Sequence, residues 1–299
     1  MRALVVDHAA PGRLAIAEVP EPAPGPGEVL VAVAAFSLNH GELPREGAPE
    51  GVVPGWDAAG SVLQAAANGS GPKAGDRVAT HGPRGGFAER RAVRVGNVAV
   101  LPADLSLEDA SALPVAGVTA LRALRASGAL LGRRVLVTGA SGGVGRFAVQ
   151  LARRAGAEVV ALVGSPERGE GLAELGATEI VTTLDGIAPV HAVVETVGGA
   201  TLVAAFALLE AGGFLQSIGA ASHEPALFAP GATIGPAKYL AAFTMGTDVG
   251  QDLSYLARLA SAGELDPQVD WRGDWTSVGA AVELLLGRRI RGKAVLTVS

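Results

Sequence analysis

The 299-residue chain contains no cysteine. That absence excludes disulfides, a thiolate nucleophile and any metal site that needs a thiolate ligand. It also lacks a basic surplus, because 24 Lys and Arg stand against 29 Asp and Glu for a net charge of −5. No basic face stands out, which argues against a nucleic-acid partner. No apolar run approaches the ~18 residues of a membrane span. The opening residues Met1-Arg-Ala-Leu-Val-Val-Asp-His lack the apolar block and cleavage signal of a secretory peptide and read as a strand. A soluble, cytoplasmic protein is the expectation. Aromatic residues are few, and only two of them are tyrosine. Glycine is plentiful at 42 residues, and the length suits one or two domains.

The most informative stretch is Val135-Leu-Val-Thr-Gly-Ala-Ser-Gly-Gly-Val-Gly145. Val135 to Thr138 has the aliphatic, β-branched pattern of a buried parallel strand. Four glycines follow at 139, 142, 143 and 145, and an amphipathic helix opens around Phe147. A strand, a glycine turn and a helix start together make a pyrophosphate site. The glycines let the backbone approach the phosphate, and the helix N-terminus supplies free N–H groups and the positive end of its dipole. A dinucleotide cofactor is expected here, with the strand–turn–helix context separating this stretch from a chance glycine-rich turn.

The first third reads as β-rich, with short strands near 4–6, 14–19, 28–36, 58–64, 76–80 and 87–93 punctuated by Pro and Gly, a pattern of a small barrel-like or irregular β domain. From about residue 105 the pattern changes. Ser106-Leu-Glu-Asp opens a helical segment to about Arg125 with a capping-box start. Strands at 135–138, 158–163, 179–182, 191–196, 213–219 and 240–246 then alternate with helices at 144–155, 166–175 and 200–210. This βαβ series implies a parallel sheet with right-handed crossovers. Two further amphipathic helices, from Leu253 and Val278, and a strand from Gly292 close the chain.

The strand ending near Val163 is followed by Gly164 and Ser165, where an NAD site usually places an acidic residue for the ribose hydroxyls. Glu167 lies beyond that position, and Arg168 follows it. A small residue leaves room for a 2′-phosphate, and a hydroxyl with a guanidinium can bind it. NADP(H) is therefore the expected cofactor.

The glycine stretch also resembles that of short-chain dehydrogenases, which need a catalytic Tyr with Lys four residues later. Tyr239 and Tyr255 are followed at that spacing by Phe243 and Leu259, so that plan fails. The ordered set Pro24-Gly-Pro-Gly-Glu-Val-Leu-Val, Ser37-Leu-Asn39, Pro54-Gly-Trp-Asp57-Ala-Ala-Gly60, Gly75-Asp-Arg-Val, Gly85-Gly-Phe-Ala-Glu89, Leu113-Pro-Val-Ala-Gly-Val-Thr119-Ala, the glycine turn, Leu175-Gly-Ala and Gly292-Lys-Ala-Val-Leu resembles the medium-chain dehydrogenase/reductase superfamily, in its zinc-independent quinone oxidoreductase-like branch. The resemblance covers essentially the whole length. It implies an α/β fold in which a doubly wound Rossmann sheet (residues 114–248) is inserted into a GroES-like, β-rich substrate domain built from residues 1–113 and 249–299. It further implies an active site in the cleft between them and a homodimer formed through the last Rossmann strand.

The resemblance also implies site residues. Thr119 lies near the nicotinamide; Ser141, Gly142, Gly143 and Val144 hold the pyrophosphate. Val197 and Gly198, with Gly219 and Ala220, border the nicotinamide ribose, and Phe243, Thr244 and Met245 approach the carboxamide. Lys293 either reaches the cofactor phosphates or is a surface lysine. On the substrate side Asn39 lies near the nicotinamide, and His40 is a candidate proton donor unless it is a solvated loop residue. Asp57 is either catalytic or a loop-holding residue. Trp56 offers an aromatic wall, while Phe36 fits core packing better.

Zinc members of the superfamily use Cys, His and Glu or Cys ligands, whereas here Gly55-Trp56-Asp57 replaces a Gly-His-Glu segment and His8, His40, His81, His191 and His223 are scattered. No metal is expected. Without a Lewis acid, reduction of a quinone or α,β-unsaturated carbonyl, whose π system spreads charge, is favoured over simple alcohol oxidation. The expected activity is NADPH-dependent reduction of such a small molecule. A pathway-specific enoyl reductase of secondary metabolism and a low-turnover NADPH-binding sensor or structural protein stay open.

Overall fold

The computed structural model describes residues 1–299. In chain order its strands are β1 (Arg2–Val6), β2 (Leu14–Glu18), β3 (Glu28–Leu38), β4 (Asp57–Gln64), β5 (Arg77–His81), β6 (Arg90–Arg94), β7 (Val98–Val100), β8 (Arg134–Thr138), β9 (Glu158–Leu162), β10 (Glu179–Val181), β11 (Val190–Glu195), β12 (Leu209–Ser217), β13 (Tyr239–Ala242), β14 (Val269–Asp274) and β15 (Lys293–Thr297). Its α-helices are α1 (Leu107–Ser111), α2 (Pro114–Ala126), α3 (Gly143–Arg154), α4 (Gly199–Ala207), α5 (Gly250–Ser261) and α6 (Val278–Leu286). The chain forms two compact units, one of residues 1–118 with 246–299 and one of residues 119–245.

In the first unit a seven-stranded sheet runs β14-β15-β3-β4-β5-β7, with β6 also paired to β3, and β1 pairs β2 separately. The two ends of the chain share one core, in which Leu4, Leu14, Phe36, Phe87, Trp275 and Leu296 are all buried. Phe36 packs on Phe87 with ring centroids 4.4 Å apart, so it is a core residue. Antiparallel pairing of β15 with β3 sets Ala294 opposite Leu38, and pairing of β3 with β4 sets Ala35 opposite Ala59. Those two registers bring Lys293, Asn39 and Asp57 to one end of the sheet.

The second unit is an all-parallel sheet in the order β10-β9-β8-β11-β12-β13. Its strands are aliphatic and fully buried at Val135, Leu136, Val137, Val159, Val160, Val193 and Val194, as a sheet covered on both faces requires. From β8 the chain winds outward to β9 and β10, then returns to the other side of β8 for β11, β12 and β13. The direction therefore reverses between β8 and β11, the topological switch point at which open α/β sheets bind ligands beyond the carboxyl ends of the strands.

Three sequence expectations need correction. The segment from Ser106 to Arg125 is two helices, because Pro114 has no N–H to continue α1 and disfavours helical geometry at the residue before it, while fitting the first position of α2. The expected helix at 166–175 is only a 3₁₀ turn at Pro166–Gly169; Gly169 and Gly171 remove helix propensity, and the buried Arg146 guanidinium instead ties the segment down through the Glu170 carbonyl, with N–O distances of 3.3 and 3.4 Å. The expected strand at 240–246 stops at Ala242. Residues 182–189, which join β10 to β11, contain no helix, and Leu184 and Ile187 pack on the hydrophobic cluster of the sheet.

Candidate cofactor site and buried polar network

In the second unit the glycine stretch folds as the aliphatic strand and its neighbours dictate. β8 ends at Thr138, the chain turns through Gly139 to Gly142, and α3 starts at Gly143. A Cβ on Gly145 would lie 2.4 Å from the Gly139 carbonyl oxygen, so only glycine lets the first turn of α3 close against the loop. Gly164 has open space where its Cβ would be. Arg168, held by the 3₁₀ turn after β9, donates from Nε to Ser141 Oγ at 2.9 Å. The turn, Ser141 and Arg168 thus form one polar surface, with cation and helix N-terminus at the same place. The open space at Gly164, the Arg168 guanidinium and the N-terminus of α3 give this cradle the chemistry to hold an anionic group. Beside it a cavity of about 530 Å³ is lined by Val163, Pro166, Thr182, Thr183, Asp185 and Ile187.

Across the switch point, β11 ends in Glu195, which the sequence reading did not single out. Its carboxylate is buried and accepts from Thr138 Oγ1 (3.0 Å), Val197 N (2.9 Å) and Gly198 N (2.9 Å). Burial raises its pKa, against the pull of the Gly198 and Val197 N–H groups and the Thr138 hydroxyl. Val197 and Gly198 meet the loop after β12: a Cβ on Gly198 would approach Ala220 Cα at 3.1 Å, and one on Gly219 would approach Thr196 O at 2.8 Å. Phe243 N donates to Ser217 O just past β13, Met245 O accepts from Arg122, Thr244 is exposed and Thr119 is buried in α2.

The first unit holds a different arrangement. Asp57 and Lys293 are almost wholly buried, with side-chain exposures of 0% and 2%. Lys293 Nζ donates to Asn39 Oδ1 (2.6 Å) and Leu38 O (3.1 Å) and lies 3.5 Å from Asp57 Oδ2. It is therefore not a surface lysine, and its amine is committed inside this unit. Asn39 Nδ2 donates to Glu42 Oε1 and Asp57 Oδ2, both at 2.8 Å. Asp57 also accepts from Ser37 Oγ (2.9 Å) and Val115 N (3.0 Å). Glu42 takes further N–H donors from Asn39 and Trp56. Burial first, then the neighbouring Asp57 carboxylate, push the Glu42 pKa up to about 8, against the Asn39 and Trp56 donors and Lys293. Arg91 adds a second buried cation, whose guanidinium donates to Trp56 O (3.0 Å), Thr80 Oγ1 (3.1 Å) and Arg84 O (3.0 Å). Burial lowers its pKa to about 10, opposed by Asp57 and Glu42, so it stays charged at neutral pH. His40 is exposed beside this network, and Trp56 is half-buried.

The structure thus joins Asn39, Asp57 and Lys293, but as a saturated network that fixes the segments around Leu38 and Trp56. The amide of Asn39 has both N–H groups and its oxygen occupied. Glu42 and Arg91 were missed because nothing local in Asn-His-Gly-Glu or Glu-Arg-Arg distinguishes a buried charge from a solvated one. A zinc ion does not fit these donors: the chain has no thiolate, no group of three His, Asp or Glu side chains is poised for a metal, and the buried carboxylates of Glu42, Asp57 and Glu195 already accept from N–H groups. No helix is long and apolar enough to cross a membrane.

The sequence matches two family profiles, the alcohol dehydrogenase GroES-like domain over residues 25–105 and the zinc-binding dehydrogenase over residues 143–262. Acrylyl-CoA reductase of Ruegeria pomeroyi is 34% identical over 253 residues, covering 73% of this chain and 74% of that protein. The chain spans about half the length of several other curated relatives that it matches. Among solved structures, the quinone oxidoreductase of Coxiella burnetii superposes with a TM-score of 0.85 at 25% identity, covering 100% of this chain and 99% of that one. A mycobacterial protein complexed with NADPH superposes with a TM-score of 0.86 at 26% identity, covering 99% and 100%. With a parallel dinucleotide-type sheet, a GroES-like unit made from both chain ends and these relatives, the chain belongs to the medium-chain dehydrogenase/reductase superfamily of nicotinamide-dependent oxidoreductases and is quinone oxidoreductase-like.

Proposed function

We propose that the protein is an NADPH-dependent, zinc-independent reductase of quinones or α,β-unsaturated carbonyl compounds. The observation that carries this reading is the bond from Arg168 to Ser141, which sets a guanidinium at the glycine turn where β9 is followed by Gly164 and Ser165 in place of an acid. A bound 2′-phosphate would take Arg168 as its cation, and the cavity beside Pro166 would give room to the adenosine end. The relative solved with NADPH supports the same cofactor.

Bound NADPH supplies the hydride. Ser141–Val144 would hold its pyrophosphate, Val197, Gly198, Gly219 and Ala220 would border the second nucleotide, and Phe243, Thr244 and Met245 would approach the carboxamide. Thr119 would face the nicotinamide. In the first unit the network of Lys293, Asn39, Asp57 and Glu42 fixes the backbone around Asn39–His40 and Trp56, the segment assigned to substrate. Hydride addition to an enone leaves an enolate, which takes its proton from water or from the exposed His40. The edge strand β13, with Tyr239 and Leu240 about half exposed and Leu227 and Ile234 largely exposed in the segment before it, is assigned to a homodimer. A second substrate class, enoyl thioesters, is favoured by the likeness to acrylyl-CoA reductase. The test is NADPH oxidation with a panel of quinones, enones and acyl thioesters. Turnover of a quinone or enone is expected; turnover of thioesters alone selects the second reading; NADPH binding without consumption of any substrate contradicts both.

A further inference from the structure

We propose that Glu195 is the positioning residue for the nicotinamide half of the cofactor site, acting through Thr138, Thr196, Val197 and Gly198. The inference rests on the nucleotide reading above. Thr138 and Glu195 are the last residues of β8 and β11, the two strands that flank the switch point. Their side chains are bonded directly, Thr138 Oγ1 donating to Glu195 Oε1 at 3.0 Å. The same hydroxyl accepts from Thr196 N (3.0 Å), and Thr196 Oγ1 returns a bond to Thr138 O (2.9 Å). The two loops that open the crevice are thus fastened to each other at their bases.

The carboxylate does more than tie two strands. Gly198 and Gly199 both take positive φ, 77° and 56°, a backbone that nothing in its own sequence holds in one state. Glu195 holds it: Gly198 N donates to Oε1 at 2.9 Å and to Oε2 at 3.1 Å, and Val197 N donates to Oε1 at 2.9 Å. Its partners are the Thr138 hydroxyl and the Val197 and Gly198 N–H groups, all of them neutral donors. A buried charge held only by neutral donors is a poor device for stability, since an apolar residue of similar size would avoid its desolvation. What it fixes is the shape of the loop at the second mononucleotide half-site. With Arg168 and Gly164 on the first half, the 2′-phosphoadenosine end goes there and the nicotinamide end to the β11–β13 half.

The geometry distinguishes Glu from its near neighbours. Both oxygens accept from Gly198 N, so an amide in place of the carboxylate sets NH₂ against N–H. The experiment compares the wild type with Glu195→Gln by calorimetric titration of two ligands, NADPH and the adenosine bisphosphate fragment that keeps the 2′-phosphate and lacks the nicotinamide nucleoside. Loss of one charge-assisted bond predicts NADPH binding weakened roughly ten-fold or more, with the fragment changed less than about two-fold. Thr138→Val, which removes the hydroxyl between Glu195 and Thr196, gives the same selective loss and serves if Glu195→Gln does not fold. Unchanged NADPH affinity, or equal weakening of both ligands, overturns the assignment. A wild type that binds neither ligand instead removes the nucleotide reading, and the Glu195 assignment with it.

Discussion

Arg168 reaches Ser141 across 27 residues of sequence, and the proposed choice of NADPH over NADH rests on this contact. Replacing Arg168 with Ala removes a cation from the proposed 2′-phosphate site, where a charge-assisted bond is worth about 1.5–3 kcal/mol. NADPH affinity should fall by roughly ten- to a hundred-fold while NADH affinity stays unchanged, as read by equilibrium titration of each. Glu42 supplies a pH signature. Its folded pKa of about 8 lies above the ordinary 4.5, so between those values the folded chain binds a proton that the unfolded chain has lost. Stability therefore falls as pH rises across that interval. Denaturant midpoints should decline from about pH 5 to 8, and Glu42→Gln should flatten the decline. At this scale the glycine turn, Gly164, Ser165 and Arg168 were legible, because spacing along the chain defines them. Glu42, Arg91, Arg146 and Glu195 were not, because burial alone separates them from ordinary surface charges.

Elements set which of those residues meet. The β15–β3 register delivers Lys293 to Asn39 and Asp57, a pairing between the two ends of the chain. Lys293→Met leaves Asp57 buried with the donors Ser37, Asn39 and Val115 and with Arg91 as the remaining buried cation acting on it. Removing one member of a buried pair costs about 3–5 kcal/mol; with those three donors retained, the loss should fall near the lower end, measured as a reduced unfolding free energy. At α3, Gly145→Ala forces the helix away from the Gly139 carbonyl, and NADPH binding should be lost with the fold retained, checked by titration alongside circular dichroism. Most strands and the long helices were legible from period and punctuation. Failures fell where glycine or proline acts against a local pattern, as at Pro114 and at Gly169–Gly171, and where a short strand is recruited by its neighbours, as β7 by β5 and β14 by β15.

For the whole molecule, the sequence showed that a parallel-sheet region interrupts a β-rich one, because strand spacing and the glycine turn change character near residue 105. It did not show which buried charges the returning C-terminal strand would meet. The exposed β13 edge predicts association: light scattering should read twice the 29.8 kDa chain mass, and Leu240→Lys should shift it toward the single chain. The central claim is hydride transfer from NADPH to a conjugated acceptor. It is tested most directly by turnover of an enone with NADPH deuterated at both C4 positions, followed by mass spectrometry of the saturated product. The account predicts one deuterium carried into each product molecule; product without deuterium, or no product while NADPH is bound, would contradict it.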